Sequence, residues 1–339
     1  MIQRRHLLAT AAGVALPTLP ALSHAARPLL FNSFLPPTHP LFGRVLKPWA
    51  DAVSQATAGR VRFDTPAGSV APAPQQMDAA SKGIIDVGYQ FLGNLSDRIK
   101  LPQMTNLPLL HVGARASSIA LWRTHARFFA PAAEFRDVQL LGLFVMYPAT
   151  VFTMKKAIVA PGELKGLKVW STPGFPARVL EGVGASVVAT PAVRSYEIIS
   201  AGTVDAFASY AVSDAAAFNT LQYAKHVLDL PGHLQAPSFA LFMGKQAWAG
   251  IAKADQQAVL ALSGEALAQR LTAFDDLEAK ARQAAAAQGV AIAAAGAEMV
   301  DAVRRAAQPL EQGWLADATR RGVDGRAALD FYRAEAHKA

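Results

Sequence analysis

The chain has 339 residues, 52% of them apolar, and 33 Lys and Arg against 25 Asp and Glu leave it a formal charge of +8. It has no cysteine, which excludes a disulfide framework, a thiolate nucleophile and a Cys-ligated metal. No Lys/Arg run and no interleaved basic–aromatic stripe is present, so nucleic acid is excluded as a partner; a basic surface instead suits anionic ligands or an anionic membrane face.

The N-terminus reads as an export signal. Arg4 and Arg5, with Leu7 and Leu8 behind them, open an Ala-rich apolar stretch that ends at Leu22-Ser23-His24-Ala25. That is a charged region, an apolar region and a small-x-small cleavage site. The arginine pair resembles a twin-arginine signal, with a Sec signal as the alternative. Cleavage is expected after Ala25, so residues 1–25 form the signal peptide and the mature protein is periplasmic. Pro17 and Pro20 break the apolar region and argue against a retained membrane helix. Losing Arg4 and Arg5 lowers the formal charge from +8 to +6. Beyond the signal no apolar run is long enough to span a bilayer.

The mature chain begins with alternating strands and helices. Leu29–Phe34 reads as a strand ending at Pro36-Pro37. Leu41, Val45, Trp49 and Val53 then recur at helical spacing, predicting a helix over 40–58 closed by Gly59. Val61–Asp64 alternates as a strand, Gln75–Lys82 is a helix ending at Gly83, and Ile84–Tyr89 is a buried strand. The second half repeats this order: strand Leu167–Trp170, helix Pro176–Val183, strand Ser186–Ala189, helix Arg194–Ser200 and strand Thr203–Phe207. Ser81-Lys82-Gly83-Ile84-Ile85-Asp86 and Ser200-Ala201-Gly202-Thr203-Val204-Asp205 share one pattern at the same stage of each unit. Asp86 and Asp205 read as turn-stabilising groups before a strand.

This order predicts an α/β protein of two lobes, each a mostly parallel sheet covered by helices. Their strands end on a shared cleft, where ligands bind in this architecture. From about Gln246 the chain is Ala-rich and helical, as at Gln256–Gln283 and Ala297–Ala307, and reads as scaffold. We expect lobe one to comprise 27–147 plus about 236–275, and lobe two 148–235 plus about 276–339 with the C-terminal helices.

The chain lacks a Walker A loop, a complete G-x-G-x-x-G, an H-E-x-x-H and a G-x-S-x-G. Its histidines are scattered, and none stands at ligand spacing with another His or a carboxylate. An enzyme is therefore not expected, and neither a metal nor a cofactor is implied.

Several segments carry a resemblance. They are Gln75–Gly88, Asn106-Leu107-Pro108-Leu109-Leu110, Glu163–Val169, and Gly184–Glu197 followed by Gly202-x-Val204-Asp205-Ala206. Together they resemble the extracytoplasmic solute receptors of tripartite ATP-independent periplasmic (TRAP) transporters, of the dicarboxylate-receptor type. The resemblance spans nearly the whole mature chain and is most specific over 163–206. It implies a two-lobe receptor that closes on a small ligand and delivers it to a permease of small and large integral membrane subunits.

One departure bears on the ligand. Where the family carries an arginine that pairs with the ligand carboxylate, this chain has Trp170. The positions of a second arginine and of an asparagine fall near Thr150 and Ser209. An arginine fork gives a carboxylate two parallel charge-assisted bonds, which Trp cannot. Either an organic acid is held by other groups, or the ligand is aromatic or largely apolar and stacks on Trp170. A cation over the indole face is a third variant. For the acid reading the candidate groups are Arg98, Asn94, Ser171, Thr172 and helix-start N–H groups near Pro176; for the aromatic reading they are Trp170, Phe34, Phe91, Tyr210 and Phe239. Gln90 completes the candidate set. Two other classes fit the scaffold: a receptor serving a sensor system, and a secreted enzyme.

Overall fold

The computed structural model describes residues 27–36 and 38–339. The expected export signal lies outside the described residues. In chain order the strands are β1 Leu29–Leu30, β2 Phe63–Asp64, β3 Val87–Phe91, β4 Val138–Val145, β5 Thr150–Thr153, β6 Lys168–Ser171, β7 Ser186–Ala189, β8 Ala206–Tyr210, β9 His226–Asp229, β10 Ser238–Gly244 and β11 Ala291–Ala294.

The strands form three sheets, and a bridge joins the two smaller ones in lobe one. In lobe one β1 pairs parallel with β2, Phe31 bridges parallel to Val87, and β10 lies between β3 and β4, antiparallel to both. Lobe two holds a six-stranded sheet in the order β11-β9-β5-β8-β6-β7. There β5 runs antiparallel to β8 and β9, and the other pairs are parallel. The mostly parallel sheets read from the sequence thus each carry one reversed strand, and in each it is the strand by which the chain arrives from the other lobe. A helical crossover keeps successive strands parallel, whereas a strand arriving directly from the opposite lobe needs none and pairs antiparallel.

The repeated turn has the same geometry in both lobes. Gly83 and Gly202 take positive φ, 71° and 67°, a region that costs glycine nothing. The following Asp amide then bonds the first strand of its unit, Asp86 N–H to the Leu30 carbonyl at 3.0 Å and Asp205 N–H to that of Lys168 at 2.8 Å. The Asp86 carboxylate also accepts from the Leu30 amide and from Arg27.

The crossing segments pair with each other. The Ala149 amide donates to the Gln235 carbonyl at 2.7 Å, Leu234 to Ala149 at 2.9 Å, and Met146 to Pro237 at 3.0 Å. A third link is the helix Ala297–Arg320, 24 residues and about 36 Å long. Its first half packs on the lobe-two helix Phe175–Gly182, where Gly182 stands so near Ala306 that a side chain would collide. Its second half reaches lobe one, where the Trp314 indole donates to the Lys100 and Leu101 carbonyls.

The Ala-rich region departs from the expected long helix. Lys253–Ala261, Glu265–Gln269 and Thr272–Ala287 are separate helices. Gly264 makes the break: its φ is 57°, and a Cβ there would lie 2.5 Å from the Trp122 ring. The last helix, Gly325–Lys338, also departs from expectation, because it packs into lobe one. Leu329, Tyr332 and Ala336 share a core with Ala120, Leu121 and Leu143, and the Tyr332 hydroxyl bonds His111 Nδ1 at 2.9 Å. Burial holds that imidazole at a pKa of about 3, hence neutral.

A buried ionic chain organises the cleft side of lobe two. Glu278, 1% exposed, accepts from the Val212 and Ser213 amides at a helix start and from Arg282 Nε at 2.7 Å. Arg282 also grips both oxygens of Asp229. Replacing Arg282 by Leu leaves two carboxylates without their cation. It should cost about 3–5 kcal/mol of stability, measured by denaturant unfolding, and an unchanged midpoint would show that the chain is dispensable.

Candidate functional site

A cleft lies between the sheets at the ends of their strands. Lobe one contributes Phe34 after β1, Phe91 at the end of β3, Asn94, and Phe239 on β10. Lobe two contributes Thr172 and Pro173 after β6, Pro191 to Val193 after β7, and Ser209 and Tyr210 at the end of β8. Met146 and Pro237 of the crossing pair close its floor, and the cavity is about 120 Å³. Across it the His39 ring stands 5.7 Å from that of Phe218.

The walls are aromatic and held by packing. Phe239 stacks on Phe144 at 5.8 Å and 13° and meets Phe91 at 5.6 Å. Tyr210 packs among Phe218, Phe152, Phe207 and Trp170, and its hydroxyl bonds Thr220 Oγ1 at 2.7 Å. Burial raises the Tyr210 pKa, so the phenol stays neutral.

The polar groups are few and uncharged or weakly charged. Thr172 is 8% exposed, and its buried hydroxyl has no hydrogen-bond partner in the protein. Ser209 Oγ bonds Ser171 Oγ at 2.6 Å. The Ser209 backbone has φ 79°, an unusual value for a residue with a side chain, where the pairing of β5 with β8 slips by one residue. Gln235, on the crossing segment, holds it by donating to the Ser209 carbonyl at 3.0 Å. A bulge re-aims a side chain, and here it brings Ser209 to the cleft wall.

Two titratable residues also line the cleft. His39 Nδ1 accepts from the Leu41 amide at 3.2 Å, and burial lowers the pKa to about 4. The ring is therefore neutral, with its proton on Nε2. Asp214 is 6% exposed, accepts weakly from the Ala211 amide at 3.4 Å, and is raised to a pKa of about 7 by burial and then by Glu278. Among the described residues no Lys or Arg lines this cleft. No group of three or more His, Asp or Glu among them is arranged to hold a metal ion, and no helix is long and apolar enough to cross a membrane.

Of the candidates read from the sequence, Phe34, Phe91, Asn94, Thr172, Ser209, Tyr210 and Phe239 come together here. Five do not line it: Ser171 is buried, its hydroxyl bonded to Ser209 Oγ and the Thr172 carbonyl, and four others lie elsewhere. Trp170 is fully buried behind Tyr210, ring centroids 5.2 Å apart, and its indole N–H is spent on Thr190 Oγ1 at 2.7 Å. The expected stacking surface is turned into the lobe-two core because strand alternation sends Trp170 to the opposite face from Ser171. Thr150 is buried and donates to the Leu228 carbonyl. Gln90 is buried in lobe one, accepting from the Met77 amide and donating to the Pro74 carbonyl. Arg98 is half exposed and paired with Asp78 at 2.7 Å. Sequence reasoning missed His39, Asp214, Phe218 and Met146. Asp214 is indistinguishable in sequence from an ordinary acid in a first helical turn, and His39 from a loop histidine.

Two lobes of α/β type, double-crossed by the chain and enclosing a cleft at their strand ends, define a ligand receptor. The chain belongs to the bacterial extracellular solute-binding proteins, family 7 (DctP), which it matches over residues 31–316. It is 46% identical over 98% of each chain to a Comamonas testosteroni protein named outer membrane transporter protein TsaT. In structure it resembles a TRAP periplasmic solute-binding protein of Bordetella bronchiseptica solved with (R)- and (S)-mandelate. That match has a TM-score of 0.86 and 32% identity, covering 91% of this chain and 98% of the other. It also resembles a TRAP solute-binding protein of Rhodoferax ferrireducens with copurified benzoate, at TM-score 0.81 and 28% identity over 91% and 97% of the chains.

The Asp214 shift makes stability depend on pH. With the folded pKa near 7 and the unfolded value near 3.8, the folded state holds the extra proton between them, so stability falls as pH rises through that window. Asp214→Asn should be more stable than wild type by about 4 kcal/mol at pH ~8 and about equal at pH ~3.5. Thermal melts across that range would refute this if the two curves stayed parallel.

Proposed function

We propose that this protein is a periplasmic receptor for a small aromatic monocarboxylic acid, which it hands to the small and large integral membrane subunits of a TRAP permease. The carrying observation is the cleft itself: aromatic rings from both lobes, uncharged donors, and no Lys or Arg among its described lining. A ring buried between Phe34, Phe91, Phe239 and Tyr210 supplies most of the binding free energy by removing apolar surface from water. The acid group is met by neutral donors: the free Thr172 hydroxyl, Ser209, the Asn94 amide and His39 Nε2–H. A dicarboxylate without a ring gains neither an arginine fork nor ring burial here. The mandelate and benzoate found in the two structural relatives have the chemistry this cleft fits. The transporter name of the Comamonas relative agrees with uptake rather than sensing.

Trp170 acts indirectly in this reading, as the backing that fixes Tyr210 in the wall. The mechanism is binding without bond-making. The lobes, parted at about residues 147 and 236, swing on the crossing pair and close over the ligand, and contacts made only in the closed state favour it. The export signal carries the chain to the periplasm, with cleavage after Ala25.

Benzoate and (R)-mandelate should raise the melting temperature in proportion to the logarithm of their concentration, and succinate should not. Phe239→Ala should weaken benzoate about 10–100-fold by calorimetry. Succinate binding as tight as benzoate would overturn the reading. Closure predicts a smaller radius of gyration by X-ray scattering in saturating benzoate than without it, and identical curves would argue for a rigid cleft.

A further inference from the structure

An acidic side chain in the wall of a cleft that receives an acid calls for a physical account. Asp214 is 6% exposed and lines the cleft beside Tyr210 and Phe218. Among the described residues its one hydrogen bond is the long contact from the Ala211 amide at 3.4 Å. No cation shares the described lining to offset it.

The neighbouring charges are all committed elsewhere or set away from the ligand. On the helix Thr272–Ala287 behind it, Glu278 is bonded to Arg282 and to the Val212 and Ser213 amides, and Arg282 to Asp229. Asp275 on that helix accepts from the Ala114 and Arg115 amides, and Lys280 borders a separate groove on the outer side of Asp214. From the cleft side it is faced by His39 and Tyr210, both neutral. An incoming carboxylate therefore meets Asp214 in a poorly screened, apolar space, where two anions close together cannot both remain ionised.

We propose that Asp214 is a specificity residue of the cleft, which admits the ligand acid only together with a proton, so that ligand and Asp214 carry one negative charge between them. The proton comes from solvent and resides on the Asp214 carboxyl or is shared with the ligand acid. A protonated Asp214 is a donor for the acid; an ionised one repels it. The raised pKa of about 7 means that this proton is already half in place near neutrality. The inference rests on the aromatic-acid reading and adds to it a proton-linked affinity.

The test is benzoate binding by calorimetry between about pH 5.5 and about pH 8.5, a range over which benzoate stays ionised and His39 stays neutral. Wild type should bind evenly on the acid side and weaken towards tenfold per pH unit above neutrality, as the competent fraction falls. Titrations in buffers of different ionisation heat should show uptake of close to one proton at about pH 8. Asp214→Asn, which keeps an acceptor for the Ala211 amide, should show no pH slope, take up no proton, and bind about 30-fold tighter than wild type at the alkaline end. Melting curves check its fold, and Asp214→Ser serves if it fails. A flat wild-type profile, or the same slope in both proteins, overturns the proposal while leaving the aromatic-acid reading intact. Absence of benzoate and mandelate binding at every pH overturns that reading and this proposal with it.

Discussion

Everything in this receptor depends on the pairing of its two crossing segments. Residues 146–149 and 234–237 carry the chain between lobes in opposite directions, and their backbone hydrogen bonds make one short antiparallel ribbon. The pairing satisfies backbone groups that a lone crossing segment would leave unpaired in the middle of the molecule. It also explains why each sheet has one reversed strand, since β5 and β10 are the continuations of the two segments. The same ribbon supplies Met146 and Pro237 to the cleft, so the connection between the lobes and the floor of the site are one piece of structure.

The ribbon reaches the site a second time through Gln235. Its amide holds the Ser209 carbonyl at a bulge whose backbone sits in an uncommon conformation. Such strain is kept only where the surroundings over-determine it, and it clusters at functional positions. Lobe two supports the other side of the wall with the Asp229–Arg282–Glu278 chain, which ends on the amides of the helix that carries Asp214. One wall is therefore tied to the crossing and the other to a buried ionic network, and neither is a free loop.

In the proposed function the cleft uses shape and ring burial where a cationic clamp would use charge. Removing a positive group from a buried site removes the strongest anchor for a carboxylate, but it also removes the reason to prefer two carboxylates over one ring. In the reading proposed above, neutral donors such as Thr172, Ser209 and His39 give orientation, and the aromatic walls give affinity. The proton linkage proposed for Asp214 adds to that reading a condition on charge that the rings alone would not impose.

Local sequence determined the βαβ order of each half, because hydrophobic period and turn residues act over a few positions. The paired glycines Gly83 and Gly202 and the aspartates after them were legible for the same reason. Residues at strand ends, such as Phe91, Thr172 and Tyr210, were legible as candidates because in this architecture strand ends face the cleft. Three things were decided only by tertiary structure. The face Trp170 turns to the core depends on the pleat of β6 among its neighbours, and a shift of one residue reverses it. The break at Gly264 and the docking of the last helix on lobe one depend on Trp122, His111 and Tyr332, which lie far from them in sequence. The place of Asp214 and His39 in the cleft, and the shifts in their protonation, come from burial between elements distant in the chain, and burial is a property that no stretch of sequence possesses by itself.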